Sequence, residues 1–197
     1  MTEYRSLGQI ISLQIQTSSL KVDGQPRRYY TPEPIRQVQA LEVDDGTITG
    51  EVDGEPLLDI HSANHPQSRN RGNGNMLSVV FSGHYDIMQT EFGQHLVPGI
   101  AGENILVQRD GRLTLDDVQA GLAIERPDGT LIQLDTVAVA HPCVEFSRFA
   151  LDNLDASPQE MSQTLRFLDG GTRGFYGTVT SALPATIGVG DRLLVRA

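Results

Sequence analysis

The chain holds a single cysteine and no tryptophan among its 197 residues. One cysteine excludes an intrachain disulfide and a C-x-x-C zinc site. Basic residues are scarce as well: 15 Lys and Arg stand against 25 Asp and Glu, for a formal net charge of -10. Neutralising phosphate needs a basic face, so a general nucleic-acid binder or a binder of acidic membranes is excluded, and any anionic ligand must be met by a local cluster of arginines. No apolar run reaches membrane-spanning length, and the N-terminus lacks the apolar core of a signal peptide. The expected location is the cytoplasm, where a lone thiol stays reduced.

What is abundant is turn chemistry. Twenty glycines and ten prolines divide the chain into many short apolar runs, the pattern of a mainly β protein with a few helices, and the length fits one domain over residues 1–197. Residues 8–16 alternate, with Ile11, Leu13 and Ile15 on one face and Ser12, Gln14 and Gln16 on a wet one. Strands at 38–43 and 47–52 flank Asp44-Asp45-Gly46, and strands at 122–125 and 130–139 flank Pro127-Asp128-Gly129; both read as hairpins. Further strands are expected at 57–60, 76–81, 105–107, 173–179 and 190–195. Ser82 reads as the N-cap of a helix with Tyr85, Met88 and Phe92 on one face, closed by Gly93. Residues 113–118 suggest one helical turn. Ser157-Pro158-Gln159-Glu160 is a capping box that opens a helix over about 158–169, stopped by Gly170-Gly171. Residues 61–75 carry glycines, asparagines, two arginines and two histidines without an apolar period and read as a long surface loop. His61 and His65 have a spacing seen in metal sites, but no carboxylate pattern accompanies them.

The chain is organised around residues 137–149, where a β-branched run meets His141-Pro142-Cys143 and a helix-like spacing of Phe146 and Phe149 follows. Proline cannot extend a ladder, so the strand ends near His141 and the thiol sits at its mouth. A helix N-terminus there, a protonated His141 or a nearby Arg148 would each favour the thiolate. The alternative is that Cys143 is a small buried hydrophobe.

Three stretches in one order then resemble the MOSC domain, the family named for the C-terminal domain of molybdenum cofactor sulfurase. They are Pro98-Gly99-Ile100-Ala101-Gly102-Glu103-Asn104-Ile105, the Pro142-Cys143 strand end, and Arg173-Gly174-Phe175-Tyr176-Gly177 followed by Ile187-Gly188-Val189-Gly190-Asp191. The resemblance spans roughly residues 5–196 and implies a MOSC-type β-barrel with a few peripheral helices. Two departures stand out: Ala140 replaces the arginine that many members carry three residues before the cysteine, and the family's His-Gly-Gly segment is replaced by Asn64-His65-Pro66 and the loop through Asn75.

The resemblance implies that the protein binds molybdenum cofactor or handles sulfur for it. In the first case Cys143 is a thiolate ligand to molybdenum of a pterin cofactor in a small reductase, and a redox partner protein is expected. In the second it is a persulfide sulfur carrier or sulfurtransferase, loaded by a cysteine desulfurase because this chain has no desulfurase part of its own. A third reading is an inert binding module on the same scaffold. Gly102, Glu103, Asn104 and His141 are the candidate cofactor-binding residues. Arg69, Arg71, Arg148 and Arg173 are candidates for the cofactor's phosphate and pterin, because a guanidinium fork matches phosphate oxygens. Cys143 is expected in a partly exposed cleft lined by Glu103, Asn104 and the 61–75 loop, with Arg173 nearby.

Overall fold

A computed structural model describes residues 2–68 and 76–197. In chain order the elements of the N-terminal half are β1 (Tyr4–Gln16), β2 (Lys21–Val22), β3 (Tyr29–Tyr30), β4 (Ile35–Val38), β5 (Ala40–Asp44), β6 (Thr47–Val52), β7 (Glu55–Leu58), β8 (Met76–Phe81), α1 (Ser82–Phe92) and β9 (Ile105–Gln108). They are followed by α2 (Leu115–Val118), β10 (Leu122–Glu125), β11 (Leu131–Val139), α3 (Val144–Ala150), α4 (Pro158–Leu168), β12 (Phe175–Val179), β13 (Ala185–Gly188) and β14 (Arg192–Arg196).

Seven strands close a barrel in the order β14-β10-β11-β12-β8-β9-β1, with β1 pairing back to β14. Closure removes the exposed edges that an open sheet would carry. β4 extends β1 outside the ring, and β13-β5-β6-β7 form a second, four-stranded sheet. The chain is thus mainly β, as its turn-rich composition predicts.

The first strand departs from simple alternation. Register shifts between Ser6 and Gly8 and between Ile10 and Ser12 mark two irregularities in β1. Each extra residue turns the inward face by one position, so Leu7, Ile10, Leu13 and Ile15 are buried while Ile11 is 41% exposed. The expected wet face is dry at its far end, because the Gln14 and Gln16 side chains donate to the Gly99 and Gly102 carbonyls of the turn before β9.

β8 and β9 are parallel neighbours, which requires a crossover, and α1 with the turn after it supplies one. Parallel strands are covered on both faces. Accordingly Val79, Phe81, Ile105 and Val107 belong to the main core, which also takes in Leu193, Val195 and Leu134. Val80 and Leu106 point the other way, into a second cluster with Tyr85, Met88, Phe146 and Leu168 from the helices. At roughly 1.5–3 kcal/mol per large apolar side chain, these two clusters are the main stabilising contribution.

Other differences from the local reading have local causes. The strand expected at 38–43 is two, because a bend at Gln39 sends the chain from the barrel edge into the second sheet. Ser82 is the first residue of α1 and Phe81 its N-cap, since the Ser82 hydroxyl is held by the Arg109 carbonyl at 2.9 Å. The capping box of α4 forms as read, with Glu160 N donating to Ser157 Oγ and Ser157 N to Glu160 Oε2.

Candidate functional site

β11 stops at Val139, and Ala140 N makes one last bond to the Gly174 carbonyl, 2.9 Å. Pro142 then turns the chain, leaving Cys143 as the N-cap of α3 with extended backbone. Its sulfur accepts the Phe146 N–H at 3.4 Å, and its carbonyl accepts from Ser147 Oγ at 2.9 Å. Cys143 is half-buried. The α3 segment carries Phe146 and Ala150 on its inner face, against Tyr30, and that packing fixes where the sulfur sits.

Beside the sulfur lies a cavity of about 360 Å³, within the size range of small-molecule sites. Four parts of the chain supply its walls: the end of β1 through β2 (Gln16 to Lys21), β3 with Arg28 and Tyr30, the loop from Ile60 to Gln67, and the pair Arg173 and Tyr176. His141 stands at its mouth, 76% exposed and bonded through Nδ1 to Asp169 Oδ1 at 2.9 Å. Three cationic side chains therefore line a cavity in an acidic protein. Lys21 is 3.9 Å from the half-buried Glu145, a long contact, and Arg28 is 3.4 Å from the exposed Asp23; loose pairs of this kind are weak and exchange readily for a stronger anion.

Arg173 is held differently. Its guanidinium lies 4.6 Å above the Phe146 ring and donates to the Ala101 carbonyl. Behind it, Glu103 is fully buried and accepts the Tyr85 hydroxyl on both carboxylate oxygens at 2.8 Å, while that hydroxyl accepts from Ala101 N. Burial pushes the Glu103 carboxyl up from its usual range, against the lowering pull of Arg173. Burial works against the charge on Arg173, but the surrounding Tyr30, Tyr176, Tyr85 and Glu103 outweigh it, so the guanidinium stays charged.

The neighbouring Asn104 acts through a different lining residue, His61, by way of Asp59. Its Oδ1 accepts from Ser78 N and Oγ at 3.1 and 3.0 Å, and its Nδ2 donates to Asp59 Oδ2 at 3.0 Å. Asp59, fully buried, also accepts the Gln16 N–H at 2.8 Å and binds His61 through both its backbone N–H, 2.8 Å, and its ring Nδ1, 2.7 Å. Burial alone would raise the Asp59 carboxyl, yet these hydrogen bonds hold it below the usual carboxylate value.

The expected cleft is therefore corrected in one respect. Cys143, Arg173 and the described part of the 61–75 loop share a cavity, but Glu103 and Asn104 do not line it; they lie sealed behind two of its walls. Gly102 likewise stays behind, at φ +80, where a Cβ would come within 2.5 Å of Leu20 Cδ1. Arg148 does not reach the cavity, and its Nε is buried without a hydrogen-bond partner among the described residues. Arg69 and Arg71 lie outside the described residues. His65, once paired with His61 by spacing, uses both ring nitrogens on backbone, at Thr17 O and Gln67 N. No group of three or more His, Cys, Asp or Glu positioned for a metal occurs among the described residues.

Sequence reasoning did not single out Lys21, Arg28, Tyr30, Asp59 or Tyr176 as site residues. Tyr176 had a signal, since it stands inside the Gly174-Phe175-Tyr176 motif. Asp59 and His61 had a faint one in their i, i+2 spacing at the end of a short apolar run, whereas Lys21 and Arg28 look like any charges in a polar loop.

No family model matches the chain, and no curated protein matches it. Among solved structures it is similar to the YuaD protein from Bacillus subtilis, at 18% identity and a TM-score of 0.54, over 100% of this chain and 99% of that one. YiiM from Escherichia coli matches at 20% identity and a TM-score of 0.48, over 82% of this chain and 65% of its own. At 18% identity the likeness to YuaD is one of fold alone, a closed β-barrel with a few short helices, the architecture that the sequence led us to expect.

Proposed function

We propose that this chain binds a molybdenum-pterin cofactor in the cavity beside Cys143, as the redox subunit of a small cytoplasmic reductase served by a separate redox partner. The carrying observation is the placement of the one cysteine on the rim of a 360 Å³ cavity that three cations face. A soft thiolate is an apt donor to such a metal. One protein sulfur at the cavity, Cys143, would hold the metal, with the cofactor bringing its own sulfur donors. When bound, the group supplies the electron-transfer chemistry, and the protein supplies orientation and charge.

The protein's own residues have separable roles. Cys143 holds the metal side, fixed by the Phe146 N–H and the α3 packing. Arg173 presents a charge that cannot be lost at any working pH, and Lys21 and Arg28 meet the anionic end of the ligand. The β2–β3 segment and the loop through Gln67 shield the ligand from water on two sides.

Metal analysis of protein expressed with molybdate, beside a Cys143→Ser variant, tests the reading. Molybdenum present in the wild type and absent from the variant is the expected result. Equal molybdenum in both overturns it. A metal-free wild type that gains a sulfur adduct on Cys143 with a cysteine desulfurase also overturns it, in favour of a persulfide carrier.

A further inference from the structure

We infer that His61 is a second functional residue of the Cys143 cavity, an imidazole that Asp59 holds as the Nδ1–H tautomer so that Nε2 faces the cavity as its proton acceptor. The inference rests on reading the cavity as the functional site, and it is independent of which ligand fills that cavity.

Three observations carry it. First, the Nδ1 edge is committed: it lies 2.7 Å from Asp59 Oδ1, and the His61 backbone N–H reaches the same oxygen at 2.8 Å. Second, the acceptor is fixed and anionic. Asp59 Oδ2 is anchored by Gln16 N and Asn104 Nδ2, so the carboxylate has no freedom to rotate away, and its acidity is held below the usual value. Third, the other ring edge is uncommitted. His61 lines the cavity, its side chain is 21% exposed, and Nε2 has no protein partner among the described residues.

A buried carboxylate behind one imidazole nitrogen fixes the tautomer and aims the other nitrogen, the arrangement by which enzymes prepare a histidine to take a proton. Here the chain of contacts runs Ser78, Asn104, Asp59, His61, from the barrel wall to the cavity. His65, on the same loop, instead spends both ring nitrogens on backbone. From β12 the ring faces Tyr176, with centroids 6.4 Å apart. The other charged and titratable groups around the same space are Lys21, Arg28, Tyr30, His141, Cys143 and Arg173. Against so many donors and cations, His61 Nε2 is an acceptor suited to an N–H or O–H of the ligand. The cavity thus selects a ligand that is anionic toward Lys21 and Arg28 and carries an exchangeable proton toward His61.

The test uses metal-free protein. Two-bond ¹⁵N–¹H spectra of labelled wild type, with the His61 signals assigned through His61→Gln, should show the neutral ring as the Nδ1–H tautomer. Carbethoxylation by diethylpyrocarbonate, read by peptide mass spectrometry, should fall on His61 Nε2 and proceed several-fold more slowly in Asp59→Asn. An Nε2–H tautomer in the wild type overturns the inference whether or not Asp59→Asn folds, as does a His61 that resists the reagent. Neither readout depends on metal, so failure of Cys143-dependent molybdenum binding would sink the proposed function and leave this result standing, and the reverse holds equally.

Discussion

At the scale of single residues, the buried titratable groups set measurable pH dependences. His84 is fully buried, accepts the Leu113 N–H at 3.0 Å, and is pushed down to about 4 by burial and by the charge of Arg112. A lowered histidine stays neutral in the fold while the unfolded chain takes up a proton. Its contribution is therefore intact above the ordinary value near 6.5 and is lost as the pH falls toward about 4, by up to about 3 kcal/mol. Glu103 has the opposite sign: its raised carboxyl stabilises the fold most below the ordinary value of 4.5, and that advantage is lost as the pH rises through the shifted one. Urea unfolding of wild type and Glu103→Gln from pH 4 to 8 should thus show the variant gaining on the wild type as the pH rises; parallel curves would count against a raised Glu103. The residue scale was also where the sequence was least readable. Cys143 was conspicuous because it is alone. Glu103 and Asn104 were conspicuous as a motif, but their contribution passes through Arg173 and His61, and only the folding of distant segments onto one turn makes those contacts.

At the scale of elements, the cysteine doubles as a helix cap, and that makes a clean variant available. Serine is a better N-cap than cysteine and fills almost the same space. Cys143→Ser should therefore keep the midpoint of thermal unfolding at or slightly above that of wild type, within about 1 kcal/mol, while removing alkylation at residue 143. A large loss of stability in this variant would mean that the sulfur is packed as a core hydrophobe. Elements whose signals are local were legible in advance: the two hairpins, the capping box of α4 and the Gly93 stop of α1 each depend on residues within a few positions of one another. The segments β2, β3 and β13 were not legible, for they carry no period and exist because of what they pair with or cover. The inward face of β1 was misread for a related reason, since its two bulges are set by pairing with distant strands, one against β14 and the other against β9. The motif turn before β9 follows the same logic. Gly102→Ala puts a Cβ against Leu20 and Gln16 at positive φ, which should cost more than about 1 kcal/mol and disturb the cavity wall where Gln16 lies.

At the scale of the whole molecule, one strand does two jobs, and they should fail together. β1 closes the barrel against β14 and β9 and continues past the ring to pair with β4, where Gln14 and Gln16 anchor the turn behind the site. The closure passes through Gly8, at φ +147, where an added Cβ would lie 2.1 Å from the Gln108 carbonyl oxygen. No rotamer relieves a collision with backbone, so β1 must move off β9 if any side chain is placed there. A ring with one pair broken has two free edges, and the loss spreads to both neighbours. Gly8→Ala should accordingly lower the unfolding free energy by about 2 kcal/mol or more. Gly129→Asn, in a turn where nothing lies within 4 Å of the added Cβ, should cost much less because asparagine tolerates positive φ. Hydrogen exchange gives the discriminating readout. In Gly8→Ala, faster exchange should appear at Gln14 and Gln16 as well as along the β1–β9 ladder, and the His61 ring, whose carboxylate partner is bonded to Gln16 N, should lose its single tautomer. Faster exchange confined to residues 4–10, with the far end of β1 untouched, would show that barrel closure and site geometry are independent.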